Sequence, residues 1–280
     1  MILALPFHSL PSDAAYEPPI DMRWGVTDEI CGARRFCSNR VMIPPRSNNQ
    51  HHFHLGCEAL IFFTHGNWEF YRGIARSPIR MGPGACVHIP PGEPHSYANL
   101  DDTDAAGELA FYGMIPHRRF AETHFIDRQW VDRGRVVEAP AGQLRPWQPQ
   151  DSEGEITVVG PDEGDVDTAT LPAVRMRWTI TAARCKAREI VGGVGTLEPG
   201  ATTGALRIAG AEAMLYLLDG VLEVRGIVGD LTIVAPETFV YLAQGQVFRL
   251  RNPDQWRTAR FFVSCGGIAD VGAMKVEQAH

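Results

Sequence analysis

Two short segments about 30 residues apart carry most of the chemistry visible in this 280-residue chain. The first reads His52-Phe53-His54-Leu55-Gly56-Cys57-Glu58. The second runs from Gly84 to Asn99 through His88, Pro90, Pro91, Gly92, His95 and Tyr97. Successive side chains of an extended strand point to opposite faces, so His52 and His54 share one. Glu58 follows four residues on, past a turn expected at Gly56. His95 follows a Pro-Pro-Gly turn and enters from another strand. Three neutral imidazoles and a carboxylate form a donor set of borderline hardness, suited to Fe(II), Mn(II), Ni(II), Co(II) or Zn(II). The expected ligands of one divalent transition metal are therefore His52, His54, Glu58 and His95.

These segments resemble the paired motifs of the cupin superfamily. Gly84, Pro90, Gly92, His95 and Asn99 stand at the intervals of the family's second motif. His52, His54 and Glu58 match the first, which departs in two places. Arg46 stands where the family has a leading Gly, and the closing Gly66 falls one residue later than usual after Glu58. The resemblance implies an all-β jelly-roll, or double-stranded β-helix, barrel around a metal.

The rest of the chain holds a second copy without the histidines. Glu212 to Gly220 aligns on Glu58 to Gly66 with the same interval, and Gly245 and Asn252 align on Gly92 and Asn99. Leu206, Ile208 and Phe248 then fall where His52, His54 and His95 stand. Nine of the ten histidines lie at or before His124, and the tenth is His280. A repeat of about 154 residues is a duplicated domain, far too long for a solenoid unit. The expected architecture is thus two tandem cupin barrels. A metal-binding N-terminal domain covers 1–137, an acidic linker or loop covers 138–170, and a degenerate C-terminal domain without metal ligands covers 171–280. Short strands with Gly and Pro between them fill both halves. One helix is expected, over residues 118–127. The stretch 151–167 carries seven acidic residues and no basic ones, which reads as a solvated loop.

Composition narrows the partners. A net charge of −7 argues against a nucleic-acid backbone. No apolar run approaches the ~20 residues that span a bilayer. The apolar stretch over 1–6 is short and lacks the positive lead of a secretory signal. Six cysteines form no CxxC pair and read as free thiols in a reducing compartment, so a cytoplasmic location is expected. Cys57 and Cys86 read as small packing residues. The partner is a small molecule, with O2 as an expected co-substrate, and the chain is expected to be a monomer or homodimer.

Strand parity extends the site. Gln50 is expected on the face of His52, Tyr97 and Asn99 on that of His95, and Leu60 and Phe62 on that of Glu58. This gives a polar floor and apolar walls, the makeup of a small-molecule pocket. Glu58 is the expected proton acceptor, and Gln50 and Tyr97 are catalytic candidates that could equally be packing groups. Asn99 recurs as Asn252 and reads as a backbone support. Arg46 reads as a surface residue before a substrate-binding one, and His88 as a packed strand residue before a ligand-orienting one. Four protein ligands leave one or two open positions, which marks a catalytic rather than a structural metal. The resemblance implies either a dioxygenase or a redox-neutral metal enzyme, and the aromatic residues around the motifs favour the first, so the expected function is a dioxygenase, with Fe(II) the favoured metal, acting on a small enolisable or phenolic substrate. The alternative is a redox-neutral isomerase, lyase or decarboxylase that uses the metal as a Lewis acid. A second alternative is a non-catalytic small-molecule binder.

Overall fold

Antiparallel strands dominate the chain, and the two α-helices among the described residues, Asp28–Cys31 and Ala182–Cys185, are single turns. Each starts at a threonine, Thr27 or Thr181, whose hydroxyl accepts from the third backbone N–H of its helix. The computed structural model describes residues 2–13, 20–132, 134–140, 142–226 and 231–279; His280 lies outside them. The chain forms two units, Pro11–Trp24 with Cys37–Asp162, and Met1–Leu10 with Gly25–Phe36 and Glu163–His280.

The first unit is built from two sheets. One has six strands in the order Thr157–Val159, Cys86–Ile89, Ala59–His65, Ala106–Gly113, Phe36–Ile43 and Asp21–Val26. The other has five, in the order Thr123–Phe125, His52–His54, His95–Asn99, Trp68–Arg72 and Ser77–Met81. Period-two alternation decides which side chains meet between the sheets. Val41, Ile43, Ala59, Ile61 and Phe63 from the first sheet form one buried cluster with Trp68, Phe70, Met81 and Tyr97 from the second. Gly66 turns the chain between Ala59–His65 and Trp68–Arg72 at φ 101°, where a Cβ would come within 2.3 Å of Ala106. That position needs glycine on both counts.

The second unit repeats the plan. Thr238–Leu242, Glu212–Asp219, Ala259–Gly266, Ile190–Leu197 and Val174–Ile180 follow one another in a seven-stranded sheet, in the same relative order as their counterparts above. Its five-stranded sheet runs Leu231–Val234, Leu222–Gly226, Val247–Arg251, Leu206–Ile208 and Val276–Gln278. Asn99 Nδ2 donates to the carbonyls of Ile43, Pro44 and Asp104, and Asn252 Nδ2 donates to those of Leu197, Glu198 and Arg257. Both asparagines bind backbone.

One segment differs from its expected form. Residues 138–170 are not a free loop: Thr157–Val159 pairs with Cys86–Ile89, and Asp165–Asp167 pairs with Val174–Ile180. Ile156 and Val159 are buried there, and their apolar contacts outweigh the acidity of their neighbours. The N-terminal Leu3–Pro6 pairs with Thr238–Leu242 in the second unit. Each unit thus has an edge strand covered by a segment from outside its own repeat, which removes an open row of backbone donors and acceptors. No described helix is long and apolar enough to cross a membrane.

Candidate metal centre

His52 sits opposite His95 in register, where His52–His54 and His95–Asn99 pair. The centroids of the three rings His52, His54 and His95 lie 4.4 to 5.4 Å apart, and one nitrogen of each falls within 4.8 Å of the others. All three residues are buried. Their Nδ1 atoms are already engaged. His52 Nδ1 lies 2.7 Å from the Gln50 carbonyl, and His95 Nδ1 lies 2.9 Å from the Glu93 carbonyl. A carbonyl can only accept, so both Nδ1 atoms carry the proton and both Nε2 lone pairs are exposed to the cluster. His54 Nδ1 lies 2.9 Å from Thr123 Oγ1, which accepts in the same tautomer. Burial pulls His52 down to about 4 and holds His54 and His95 well below the usual histidine range, with the neighbouring imidazoles adding to the effect on the last two. Three neutral imidazoles with oriented rings are the form in which histidine binds a metal. The donor set fits one divalent transition ion.

Thr123 reaches His54 because residues 118–127 do not form the expected helix. Arg118–Phe120 is a 3-10 turn, and Thr123–Phe125 is a strand paired with His52–His54. Elements this short carry no readable period, so the strand takes its form from its partner.

Glu58 is not brought into the cluster. Its Oε2 lies 2.8 Å from His88 Nε2, and both residues are buried. Ala59, Ile61 and Phe63 occupy the inward face, so Glu58, Leu60 and Phe62 have the opposite parity. Ala59 pairs with Tyr112 in register and takes the position expected of the carboxylate. The late Gly66 was the signal: counting back the family's usual interval from Gly66 reaches Ala59. The second unit behaves alike. Ala213, Leu215 and Leu217 are in the core there, while Glu212 Oε2 accepts from the backbone N–H groups of Arg34 and Arg35.

Gln50 also departs from expectation. It precedes the strand, and its Nε2 donates to the Asp127 carbonyl at 3.0 Å. Its contribution to the cluster is the backbone carbonyl that holds His52. Arg46 pairs with Asp102 at the surface. Burial pushes the Cys57 thiol up, as befits a packing residue.

Tyr97 does line the pocket, together with His52, His54, Met22, Trp24 and Tyr112. Its hydroxyl donates to Glu108 Oε1 at 2.6 Å, and Glu108 is fully buried. Arg118 closes the same pocket and pairs with Asp13 at 2.5 Å; Asp13 also accepts from the Trp24 indole at 3.3 Å. The cavity is about 20 Å³, room for roughly one water. In the second unit Leu206, Ile208 and Phe248 are buried in one apolar cluster, with Leu206 opposite Phe248 as His52 is opposite His95.

The family described as Cupin domain matches residues 39–109. No curated protein matches the sequence. Among solved structures, the chain is similar to oxalate decarboxylase from Bacillus subtilis at pH 4.6, at 12% identity and TM-score 0.69, covering 96% of this chain and 76% of that one. It is similar to the Lactobacillus farciminis oxalate decarboxylase formate complex at 14% identity and TM-score 0.70, covering 96% and 87%. It is also similar to protein Ylba from E. coli at 14% identity and TM-score 0.66, covering 95% and 90%. At such identities the likeness establishes the fold, tandem cupin jelly rolls.

Proposed function

We propose that this chain is a mononuclear-metal enzyme acting on a small anionic organic substrate, with O2 as co-substrate. The observation that carries the reading is the convergence of three neutral imidazoles whose Nδ1 atoms are all held, with no carboxylate of the described residues among them. His52, His54 and His95 would hold Fe(II), or Mn, Co, Ni or Zn in its place. Three protein ligands on a six-coordinate ion leave three positions open, enough for a chelating substrate and a second small molecule. When bound, such an ion supplies Lewis acidity and, if redox-active, a route for electrons.

The chain's own groups do the rest. Arg118 lines the pocket and suits a carboxylate or enolate oxygen. Met22, Trp24 and Tyr112 exclude water and offer an apolar wall, and from a volume of about 20 Å³ they must move apart to admit a substrate. Tyr97 exchanges a proton with the substrate through its hydroxyl, and Glu108 takes that proton from Tyr97 or returns it. This pair replaces Glu58 as the acid–base element. The second barrel is structural and holds no metal, its old ligand positions filled by Leu206, Ile208 and Phe248.

The second reading is a redox-neutral decarboxylase or lyase. Its support is the likeness to oxalate decarboxylases, together with Arg118 as a carboxylate partner and Tyr97 as a proton donor. One experiment separates the two. The Fe(II)- or Mn(II)-loaded protein is screened against small 1,3-dicarbonyl, phenolic and dicarboxylic acids, with O2 uptake recorded. Turnover that stops under strict anaerobiosis supports the oxygenase; turnover at full rate without O2 overturns it in favour of the lyase.

A further inference from the structure

The strand pair that carries the imidazoles has a second face. Ser96 and Ala98 alternate with His95 and Tyr97 on their strand and so turn away from the barrel interior, and Asn49 and His51, just before His52–His54, line the same side. On that side lies a separate cavity of about 310 Å³, at the lower end of small-ligand sites. Asn49, His51, Tyr71, Arg76, Ser96 and Trp130 are among its walls. Most of their polar groups are engaged. His51 lies 2.9 Å from Ser96 Oγ and 3.1 Å from the Gly73 carbonyl, the Tyr71 hydroxyl donates to Glu69, and Arg76 pairs with Asp127.

Two donors are left over. Asn49 Nδ2 and Trp130 Nε1 are buried atoms with no hydrogen-bond partner among the described residues. Asn49 is only 1% exposed. Its Oδ1 accepts from the Tyr97 backbone N–H at 2.7 Å, which fixes the orientation of the amide and makes Nδ2 the group without a partner. A buried N–H is costly to leave unsatisfied, so a fold retains one where something accepts from it. Both groups are neutral donors, and Arg76 is already balanced by Asp127. That combination suits a singly charged acceptor better than a dianion. Arg76 has further N–H donors beyond the one spent on Asp127. Two aromatic walls, Tyr71 and Trp130, suit a flat molecule.

We propose that this cavity is a second small-molecule site that takes a small planar carboxylate, with its oxygens on Asn49 Nδ2 and Trp130 Nε1 and its ring against Tyr71. The site is independent of the metal reading. Benzoate is the probe, titrated into the full chain with and without Mn(II) and followed by calorimetry and tryptophan fluorescence. Saturable binding at millimolar Kd or tighter is expected, unchanged by Mn(II). Asn49→Asp keeps an oxygen for the Tyr97 amide but turns the free donor into an acceptor. Trp130→Phe keeps a ring and removes the N–H. Each should weaken benzoate roughly tenfold or more, as should replacing benzoate by benzyl alcohol. Absence of saturable binding up to about 10 mM overturns the site, as does unchanged affinity in both variants. Binding that requires Mn(II) and survives both substitutions places benzoate at the imidazoles and equally overturns it.

Discussion

The Tyr97 hydroxyl meets the Glu108 carboxylate at 2.6 Å across the interior of the first barrel, from one sheet to the other. Tyr97 also lines the histidine pocket, so the pair links a buried carboxylate to that pocket through one proton-bearing oxygen. Tyr97→Phe and Glu108→Gln are each expected to lower turnover by roughly 10²-fold while leaving metal content intact, the scale of a lost acid–base group. Metal analysis alongside steady-state kinetics checks both. Unchanged turnover in Tyr97→Phe would remove the pair from the chemistry.

Glu58 faces His88 rather than the imidazoles. Glu58→Gln is therefore expected to leave metal stoichiometry unchanged. Its cost falls on folding, about 1–3 kcal/mol for a weakened buried charge-assisted bond. His95→Ala should instead abolish metal binding. Metal analysis paired with denaturant unfolding separates the two, and loss of metal in Glu58→Gln would restore that carboxylate as a ligand.

Acid should unfold the metal-free protein through its buried histidines. His52 is held down to about 4 and His51 to about 3, in both cases chiefly by burial. Unfolded histidine titrates near 6.5. Below that pH the unfolded chain binds protons that the folded chain refuses, so stability falls as pH drops from about 6.5 toward 4. The slope approaches ~1.4 kcal/mol per pH unit for each such histidine. Urea midpoints measured from pH 7 to 4.5 test this. A flat profile across that window would contradict the neutral, buried assignment.

Asn39 is fully buried on the strand Phe36–Ile43, between Cys37 and Val41, which belong to inward apolar clusters. Neither atom of its amide has a partner among the described residues. Asn39→Leu exchanges two unsatisfied groups for apolar contact and is expected to stabilise the protein by about 1 kcal/mol or more. For a unit of this size that is roughly 2–4 °C in Tm. A lower Tm would mean that the amide is satisfied in solution.

The sequence made some of this legible and hid the rest for identifiable reasons. His52, His54 and His95 could be placed together because a period of two and a Pro-Pro-Gly turn leave little freedom. Glu58 could not, because a one-residue difference in the loop after His54 moves every following side chain to the other face. The late Gly66 recorded that shift. Glu108 was hidden because its partner is 11 residues away in sequence but lies in the opposite sheet. Thr123 was hidden because a strand of three residues owes its form to pairing with His52–His54 and not to its own pattern. The duplicated plan was plain in the matched intervals around Asn99 and Asn252. The edge strands Leu3–Pro6 and Thr157–Val159 lie outside the repeat and left no such trace.

Ala59 in the inward position fixes the electrical balance of the first barrel. Imidazole donors are neutral, so a divalent ion held by His52, His54 and His95 alone would keep its full double charge in a low-dielectric interior, where uncompensated charge is expensive. A carboxylate in place of Ala59 would have cancelled half of it in advance. Among the described residues no carboxylate lines the pocket and Glu108 reaches it only through the Tyr97 hydroxyl, so the remaining balance falls to whatever enters the open positions. The loaded centre should therefore behave as an anion trap: formate, azide or chloride would compete with substrate, and neutral analogues of the same shape would not.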